Sequence, residues 1–430
     1  MNKINILFDS TVLIEKFYLA NSHRSGVFFV AWNVLQIMQN NKNIHITLTY
    51  PCEYRNSANF KKLKKVPFFL RFKFICVGSG NLKIAVQQNI EKHKKNKNYL
   101  KILYNYIHLL KIKIKENIYY NEKILKSALT NTHIYISPFY PVPKNILEQK
   151  HIKIFYILYD TTPIIFQKYF GVDFQYNLML NTLNKDVYSF CISQSCKDDF
   201  LKYCGDKLDA NKMYVTYIAT NQNYIPNYDK QKLVKTLKKY GVEHTPNDNY
   251  LFSLCSLEPR KNLAFTISCF LKFVRKQNIH DLYFYLGGSI WKNFESVLAK
   301  TLEYAGEFRH KIKLLGYIDD SDANILYSNS LFFTYLSQYE GFGMPPLEAM
   351  QAGTPVITSN NSSLPEVVGD AAISITYNDE EAVIKAFEDF YFNENLRKEY
   401  IARGLERAKM FSWEKCVGRM IKVIEETVNY

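Results

Sequence analysis

The sequence predicts an α/β protein of two domains, each a parallel sheet covered by helices. Three observations predict it. Short β-rich runs alternate with longer helix-patterned segments through both halves of the chain, which is the rhythm of βαβ units. At 430 residues the chain exceeds what one hydrophobic core usually supports. The rhythm also lapses around Gln222–Asp229 and the turn cluster Pro246-Asn247-Asp248-Asn249, then restarts at Tyr250. The expected domains are therefore 1–225 and 226–430.

In the first half the expected strands are Ile4–Phe8, Ile44–Leu48, Phe72–Val77, His133–Ser137, Ile152–Leu158 and Val187–Ile192, with helical segments such as Val27–Met38 and Phe174–Leu183 between them. In the second half they are Leu251–Cys255, Leu282–Leu286, Ile312–Leu315, Leu331–Tyr335, Val356–Thr358 and Ala372–Ile375. Ser412–Val428 reads as a closing helix with Ser412 as its N-cap. The segment from Lys83 to Lys126 fits neither rhythm.

Composition excludes several classes. The eight cysteines are scattered and form no C-x-x-C pairs, so neither a zinc site nor a disulfide framework is expected, and a reducing cytosol fits. The N-terminus lacks the apolar stretch of a signal peptide, and no run reaches the length of a membrane span. A soluble or peripheral protein is expected, at most held at the inner face of the cytoplasmic membrane.

The net charge of +15 is concentrated. Residues 53–126 hold eighteen Lys/Arg against Glu53, Glu91, Glu116 and Glu122, a local charge of +14. Nucleic-acid binding lacks a supporting motif. A solvated face and a surface for anionic membrane or a lipid-diphosphate acceptor both remain open, and the membrane surface is the preferred reading.

The segment richest in chemistry is Tyr339-Glu340-Gly341-Phe342-Gly343-Met344-Pro345-Pro346-Leu347-Glu348. It follows an apolar strand and opens a helix that stops at Gly353. Gly341 and Gly343 allow close backbone approach to a ligand, and proline suits a first helical turn. A helix N-terminus attracts an anion, yet two glutamates flank it. An ionised carboxylate only accepts hydrogen bonds, so sugar or ribose hydroxyls are its natural partners. A helix cap and a solvated loop residue are the bland alternatives for Glu348 and Glu340. A second segment, Leu257-Glu258-Pro259-Arg260-Lys261-Asn262, places two cations at a strand end, where open α/β sheets bind ligands and where a diphosphate would fit. The acid pairs Asp198-Asp199 and Asp319-Asp320 read as helix-start acids rather than metal ligands.

Together these segments resemble the retaining GT-B glycosyltransferases of family 4, with mannosyltransferase-like features. The resemblance rests on Glu340–Glu348, Ala352-Gly353-Thr354-Pro355-Val356, Ser362-Ser363-Leu364-Pro365-Glu366-Val367, Leu257–Asn262 and Gly316-Tyr317-Ile318. Weaker echoes are Arg24-Ser25-Gly26-Val27, Ile136-Ser137-Pro138, Leu158-Tyr159-Asp160 and Ile192-Ser193-Gln194-Ser195. The second half is covered nearly throughout, the first half thinly.

The resemblance implies two Rossmann-like domains facing across a cleft, acceptor-side first and donor-side second, with the C-terminal helix crossing back. It implies a nucleotide-sugar donor, with GDP-mannose the leading guess, a glycan or lipid-linked acceptor, and no metal. Arg260 and Lys261 would bind the diphosphate and Glu348 the ribose. Glu340, with Phe342, Gly343 and Met344, would hold the transferred sugar, with Leu347 nearby. Tyr317 or Ile318 would flank the base, and Gly26 would approach the diphosphate. Glu340, Asp160 and Lys261 are the expected catalytic residues. Many relatives carry His-Asp where this chain has Tyr159-Asp160, so that sugar contact is in question. A non-catalytic nucleotide-sugar or glycan-binding module and a sugar-nucleotide epimerase on the same fold are the rival expectations.

Overall fold

The computed structural model describes residues 3–16, 26–55, 57–78, 86–87, 89–91, 93–94, 96–170, 174–291 and 294–429. Arg24, Ser25, Lys83, Lys92 and Lys95 lie outside the described residues. The chain divides into two compact units. The first comprises Met1–Ile192, Lys197–Thr216 and Trp413–Tyr430, and the second Ser193–Cys196 and Tyr217–Ser412.

In the first unit the described strands are β1 (Ile4–Asp9), β2 (Ile44–Tyr50), β3 (Lys73–Cys76), β4 (Ile134–Ser137), β5 (Lys153–Leu158), β6 (Tyr188–Cys191) and β7 (Met213–Val215). They form one sheet in the order β3-β2-β1-β4-β5-β6-β7, with every pairing parallel. The strands are continuous apolar runs because both sheet faces are covered, and Ile6, Phe8, Leu48, Ile136, Phe155 and Phe190 are buried. The helix Gly26–Met38 packs against the closing helix Trp413–Val428, which belongs to this unit although it ends the chain.

In the second unit the strands are β8 (Asn249–Leu254), β9 (Leu282–Gly287), β10 (Ile312–Gly316), β11 (Phe332–Tyr335), β12 (Val356–Ser359) and β13 (Ala372–Ile375). Their order is β10-β9-β8-β11-β12-β13, again all parallel. Leu251, Ile267, Phe270, Phe284, Phe332 and Phe387 share its core. Each unit is thus a doubly wound sheet whose strand order reverses once, between β1 and β4 and between β8 and β11. Open sheets of this kind bind ligands at the carboxyl ends of the strands flanking the reversal.

Three expectations are corrected. Cys52 and Cys76 form a disulfide, with Cα atoms 5.5 Å apart. Parallel pairing of Tyr50 with Cys76 brings the end of β3 beside the turn that follows β2. Asp198 and Asp199 lie in the second turn of the helix Gln194–Cys204, not at its start, whereas Asp319 does sit at the N-cap of Asp320–Ser328. The unassigned segment contains a long helix, Tyr99–Tyr119.

Candidate functional site

The loop after β8 and the loop after β11 leave the second sheet at its reversal and meet. The first contains a short 3₁₀ turn, Pro259–Lys261, ended by Asn262 in the left-handed conformation. The amide of Asn262 donates to Tyr377 O at 2.7 Å, which fixes the entry to the helix Leu263–Lys276. The two loops are stitched by backbone: Gln338 N–H donates to Arg260 O at 2.9 Å.

Four charged side chains meet at this junction. Arg260 pairs with Glu258 at 2.6 Å and with Glu340 at 3.0 Å. Lys261 reaches Glu340 at 2.5 Å and donates to the Tyr335 hydroxyl at 2.7 Å. Arg260 also donates to Tyr339 O. Glu258, Lys261 and Glu340 are buried. Burial by itself would raise the Glu340 carboxyl, but Arg260 and Lys261 outweigh it and hold the pKa at about 2. Two cations and two carboxylates make the cluster formally neutral. Glu340 therefore pairs with both cations and holds them together. Glu258 was not anticipated from the sequence, although it stands directly before Pro259 and Arg260.

The loop carrying Glu340 is pinned from below by the segment after β12. Glu340 N–H donates to Ser362 Oγ at 2.9 Å, and Ser363 Oγ donates to Glu340 O and Phe342 O at 2.9 and 2.7 Å. Gly343 has φ +109°, and a Cβ there would lie 2.7 Å from Leu364 Cδ2, so only glycine fits. The helix Met344–Gln351 begins there with Pro345 and Pro346 in its first turn. Pro345 and Pro346 carry no N–H, so in its first turn Met344 and Leu347 are the backbone donors. Leu347 is fully buried, and its N–H bonds Gly343 O at 3.4 Å.

Glu348 lies one turn into that helix, half-buried, and accepts from the Tyr327 hydroxyl at 2.9 Å. Burial dominates and raises its pKa to about 7. Tyr224, also unanticipated, packs edge-on against Tyr327 with ring centroids 5.7 Å apart. Burial raises the Tyr224 phenol, and Glu348, Asp320 and Tyr317 push it further up. Ile318 is buried against Gly287 and Leu254 instead.

Gly26, Tyr159 and Asp160 belong to the first unit. Gly26 begins its helix. Tyr159 is held well above the usual phenol range by burial, and its hydroxyl donates to Val27 O at 3.5 Å. Asp160 Oδ1 accepts from Thr162 N–H at 2.9 Å, and its carbonyl accepts from the Tyr176 hydroxyl at 2.9 Å. The reversal of the first sheet carries a pocket that the sequence did not reveal. It is lined by Asp9, Glu15, Tyr54, Tyr135, Tyr140 and neighbouring prolines. Glu15 accepts from both Tyr54 and Tyr140 hydroxyls, and burial raises Asp9 to about 6. Among the described residues no cluster of His, Cys, Asp or Glu has the make-up of a metal site.

Residues 234–407 match the family described as glycosyl transferases group 1, and this span contains the whole four-charge cluster and Glu348. This part of the chain is a group 1 glycosyl transferase domain. The O-antigen chain mannosyltransferase B of Escherichia coli is 34% identical over 212 residues, covering 49% of this chain and 54% of that protein. The serotype-specific mannosyltransferase WbdA of the same organism is 26% identical over 236 residues, covering 52% of this chain and 27% of WbdA. The chain thus spans about half, or less, of the length of these curated relatives. The solved structure of Anabaena HepE in complex with UDP and glucose superposes with a TM-score of 0.65 at 14% identity, covering 98% of this chain and all of that one. The glycosyl transferase domain and the first unit together therefore have the GT-B fold, with two Rossmann-like units in one chain.

Proposed function

We propose that this protein is a retaining hexosyltransferase that moves mannose from GDP-mannose to a glycan or lipid-linked acceptor in surface polysaccharide biosynthesis. One observation carries the reading: Glu258, Arg260, Lys261 and Glu340 converge at the reversal of the second sheet, beside the helix that bears Glu348. Breaking the glycosyl–phosphate bond leaves negative charge on the departing diphosphate. Arg260, Lys261 and the N–H groups of Phe342, Gly343 and Met344 would stabilise that charge as it develops, where electrostatic stabilisation gains rate. Glu348 would accept from ribose hydroxyls, with Tyr317 beside the base. The acceptor hydroxyl forms the new bond to the anomeric carbon, and its proton leaves with the diphosphate. Fixed cations fill the role a metal would otherwise take. Gly26 would approach the diphosphate, and Asp160 would orient the acceptor.

Both relatives are named mannosyltransferases, which supports mannose over other hexoses. The pocket at the reversal of the first sheet, rich in carboxylates and phenols, suits the hydroxyls of an acceptor sugar. The basic segment 53–126 would face anionic lipid at the inner side of the cytoplasmic membrane. No helix among the described residues is long and apolar enough to cross a membrane.

Thermal melts with GDP, UDP, dTDP and their sugars test the donor, because a ligand that binds only the folded state raises its stability. Donor turnover by wild type, lost in Glu340→Ala and Lys261→Ala, is the expected result. Binding without turnover across common donors and acceptors would replace the transferase with a binding module.

A further inference from the structure

The helix Tyr99–Tyr119 is built with two apolar faces, and among the described residues only one of them packs against another element. On one side Ile112 is buried with Val86 and Ile90, and Ile102 and Leu109 pack onto that small cluster. Asn105 is buried on the same side, its amide donating to Lys101 O at 2.7 Å. The helix also packs against the Cys52–Tyr54 turn, which the disulfide ties to β3. This half is anchored.

The opposite side is the informative one. Leu100, Leu103, Ile107, Leu110 and Ile114 recur at helical spacing and are exposed, Leu100 by 83%, Leu103 by 59% and Leu110 by 58%. Tyr99, Tyr104 and Tyr106, also exposed, border this stripe. On a helical projection at about 100° per residue, Lys111 falls on one flank and Lys113 on the other, with Lys101 behind. Large aliphatic side chains held in water are costly, and so continuous a stripe marks a surface that something covers.

The flanking residues identify the cover. Lysine stems lie along apolar surface while their ammonium groups reach outward, and tyrosine rings favour the boundary between apolar and wet phases. The surrounding stretch 53–126 carries +14, so the complementary surface is anionic. At 21 residues with lysines on its flanks, the helix suits lying in a lipid interface, not spanning it.

We infer that the helix Tyr99–Tyr119 is an in-plane membrane anchor, with Leu100, Leu103, Ile107, Leu110 and Ile114 in the acyl boundary and Lys111 and Lys113 at anionic headgroups. This deepens the membrane-facing reading of the basic segment and is independent of the chemistry at Glu340. It would hold the acceptor-side unit at the surface where a lipid-linked substrate resides.

Flotation of the full chain with phosphatidylcholine vesicles, with and without phosphatidylglycerol, tests it. Wild type should float with the anionic vesicles and lose binding as salt rises. The double variant Leu103→Glu/Ile107→Glu should lower partitioning by at least about tenfold. Lys111→Glu/Lys113→Glu should abolish the preference for phosphatidylglycerol. These side chains point away from Val86, Ile90 and Ile112, so unchanged far-ultraviolet dichroism is expected. Leu103→Trp gives a second readout, a blue-shifted emission on vesicle addition. Failure of wild type to float, or flotation of the Leu103→Glu/Ile107→Glu variant at wild-type level, would overturn the anchor. So would a wild-type dimer in light scattering that this variant dissociates while vesicle binding is unmoved, because the stripe would then cover a second copy. Donor turnover in detergent-free buffer reports on the transferase site separately.

Discussion

Replacing Glu348 with glutamine separates what this carboxyl costs the fold from what it offers a ligand. Tyr327 donates to it at 2.9 Å, but burial dominates and raises its pKa from 4.5 to about 7. A raised pKa means that folding favours the protonated form. The contribution is therefore fully present below the unfolded value near 4.5 and is lost as pH rises through about 7. A shift of this size corresponds to about 3 kcal/mol. Glutamine is neutral at every pH and still accepts from Tyr327. Glu348→Gln should thus exceed wild type in stability at pH 8 by about 3 kcal/mol, a rise in Tm of about 6–12 °C for a unit of roughly 200 residues, with little difference at pH 4.5. Ligand binding should show the opposite preference. Ribose hydroxyls donate to the ionised form, so affinity for a nucleotide sugar should fall below about pH 7, by up to about tenfold per pH unit. The intact diphosphate of a nucleotide sugar does not titrate there, which makes it the right probe. Paired thermal melts and calorimetric titrations of both proteins give both numbers. A Tm difference that is the same at pH 5 and pH 8 would refute the burial argument. A pH-independent wild-type affinity would remove Glu348 from the ligand.

Two further outcomes follow from the packing. Lys261→Met and Glu340→Gln should each cost about 3–5 kcal/mol by leaving the buried cluster with an unbalanced charge, while the double variant should cost clearly less than their sum; additive losses in urea unfolding would show that the cluster is uncoupled. Cys52 and Cys76 close a loop with a sequence separation of 24, so Cys52→Ser should destabilise the first unit by about 3 kcal/mol, read as a lower Tm that dithiothreitol no longer changes.

The sheets were legible because parallel strands buried on both faces must be continuous apolar runs, as in Phe155-Tyr156-Ile157-Leu158 and Phe332-Phe333-Thr334-Tyr335. Where the signal is short it disappears: Met213–Val215 adds only three residues to the sheet edge, too few to show a period. Tyr99–Tyr119 escaped for a different reason. With a buried Asn105 and exposed leucines opposite, its apolar residues surround the axis, and the one-stripe pattern of an ordinary surface helix is absent. The disulfide depends on strand register, which cysteine spacing cannot encode. Arg260, Lys261, Glu340 and Glu348 were legible as motif residues, but their pairing was not. That Glu340 binds the cations, that Glu258 shares them, and that Tyr327 and Tyr224 back Glu348 are facts of three-dimensional convergence.

The neutrality of the four-charge cluster bears directly on how such a site could work. Two adjacent cations without partners would repel each other; Glu258 and Glu340 offset that repulsion and keep both aimed. A diphosphate entering beside them meets carboxylates as well as cations. It gains most if Glu340 releases a cation and turns its oxygens to hydroxyl donors on the sugar, while Glu258 keeps Arg260 oriented. Glu340 then opposes binding of the diphosphate by itself and favours the intact donor, which brings those hydroxyls. Glu340→Gln should accordingly bind GDP about tenfold or more tighter than wild type, because a unit charge about 5 Å away is worth a few kcal/mol at a partly buried site. The same variant should turn over GDP-mannose at least a hundredfold more slowly, with KM unchanged or lower. Calorimetry with GDP and steady-state kinetics with the sugar nucleotide measure the two arms. Weaker GDP binding by Glu340→Gln would mean that Glu340 serves only to position Arg260 and Lys261, and the exchange of partners would be wrong.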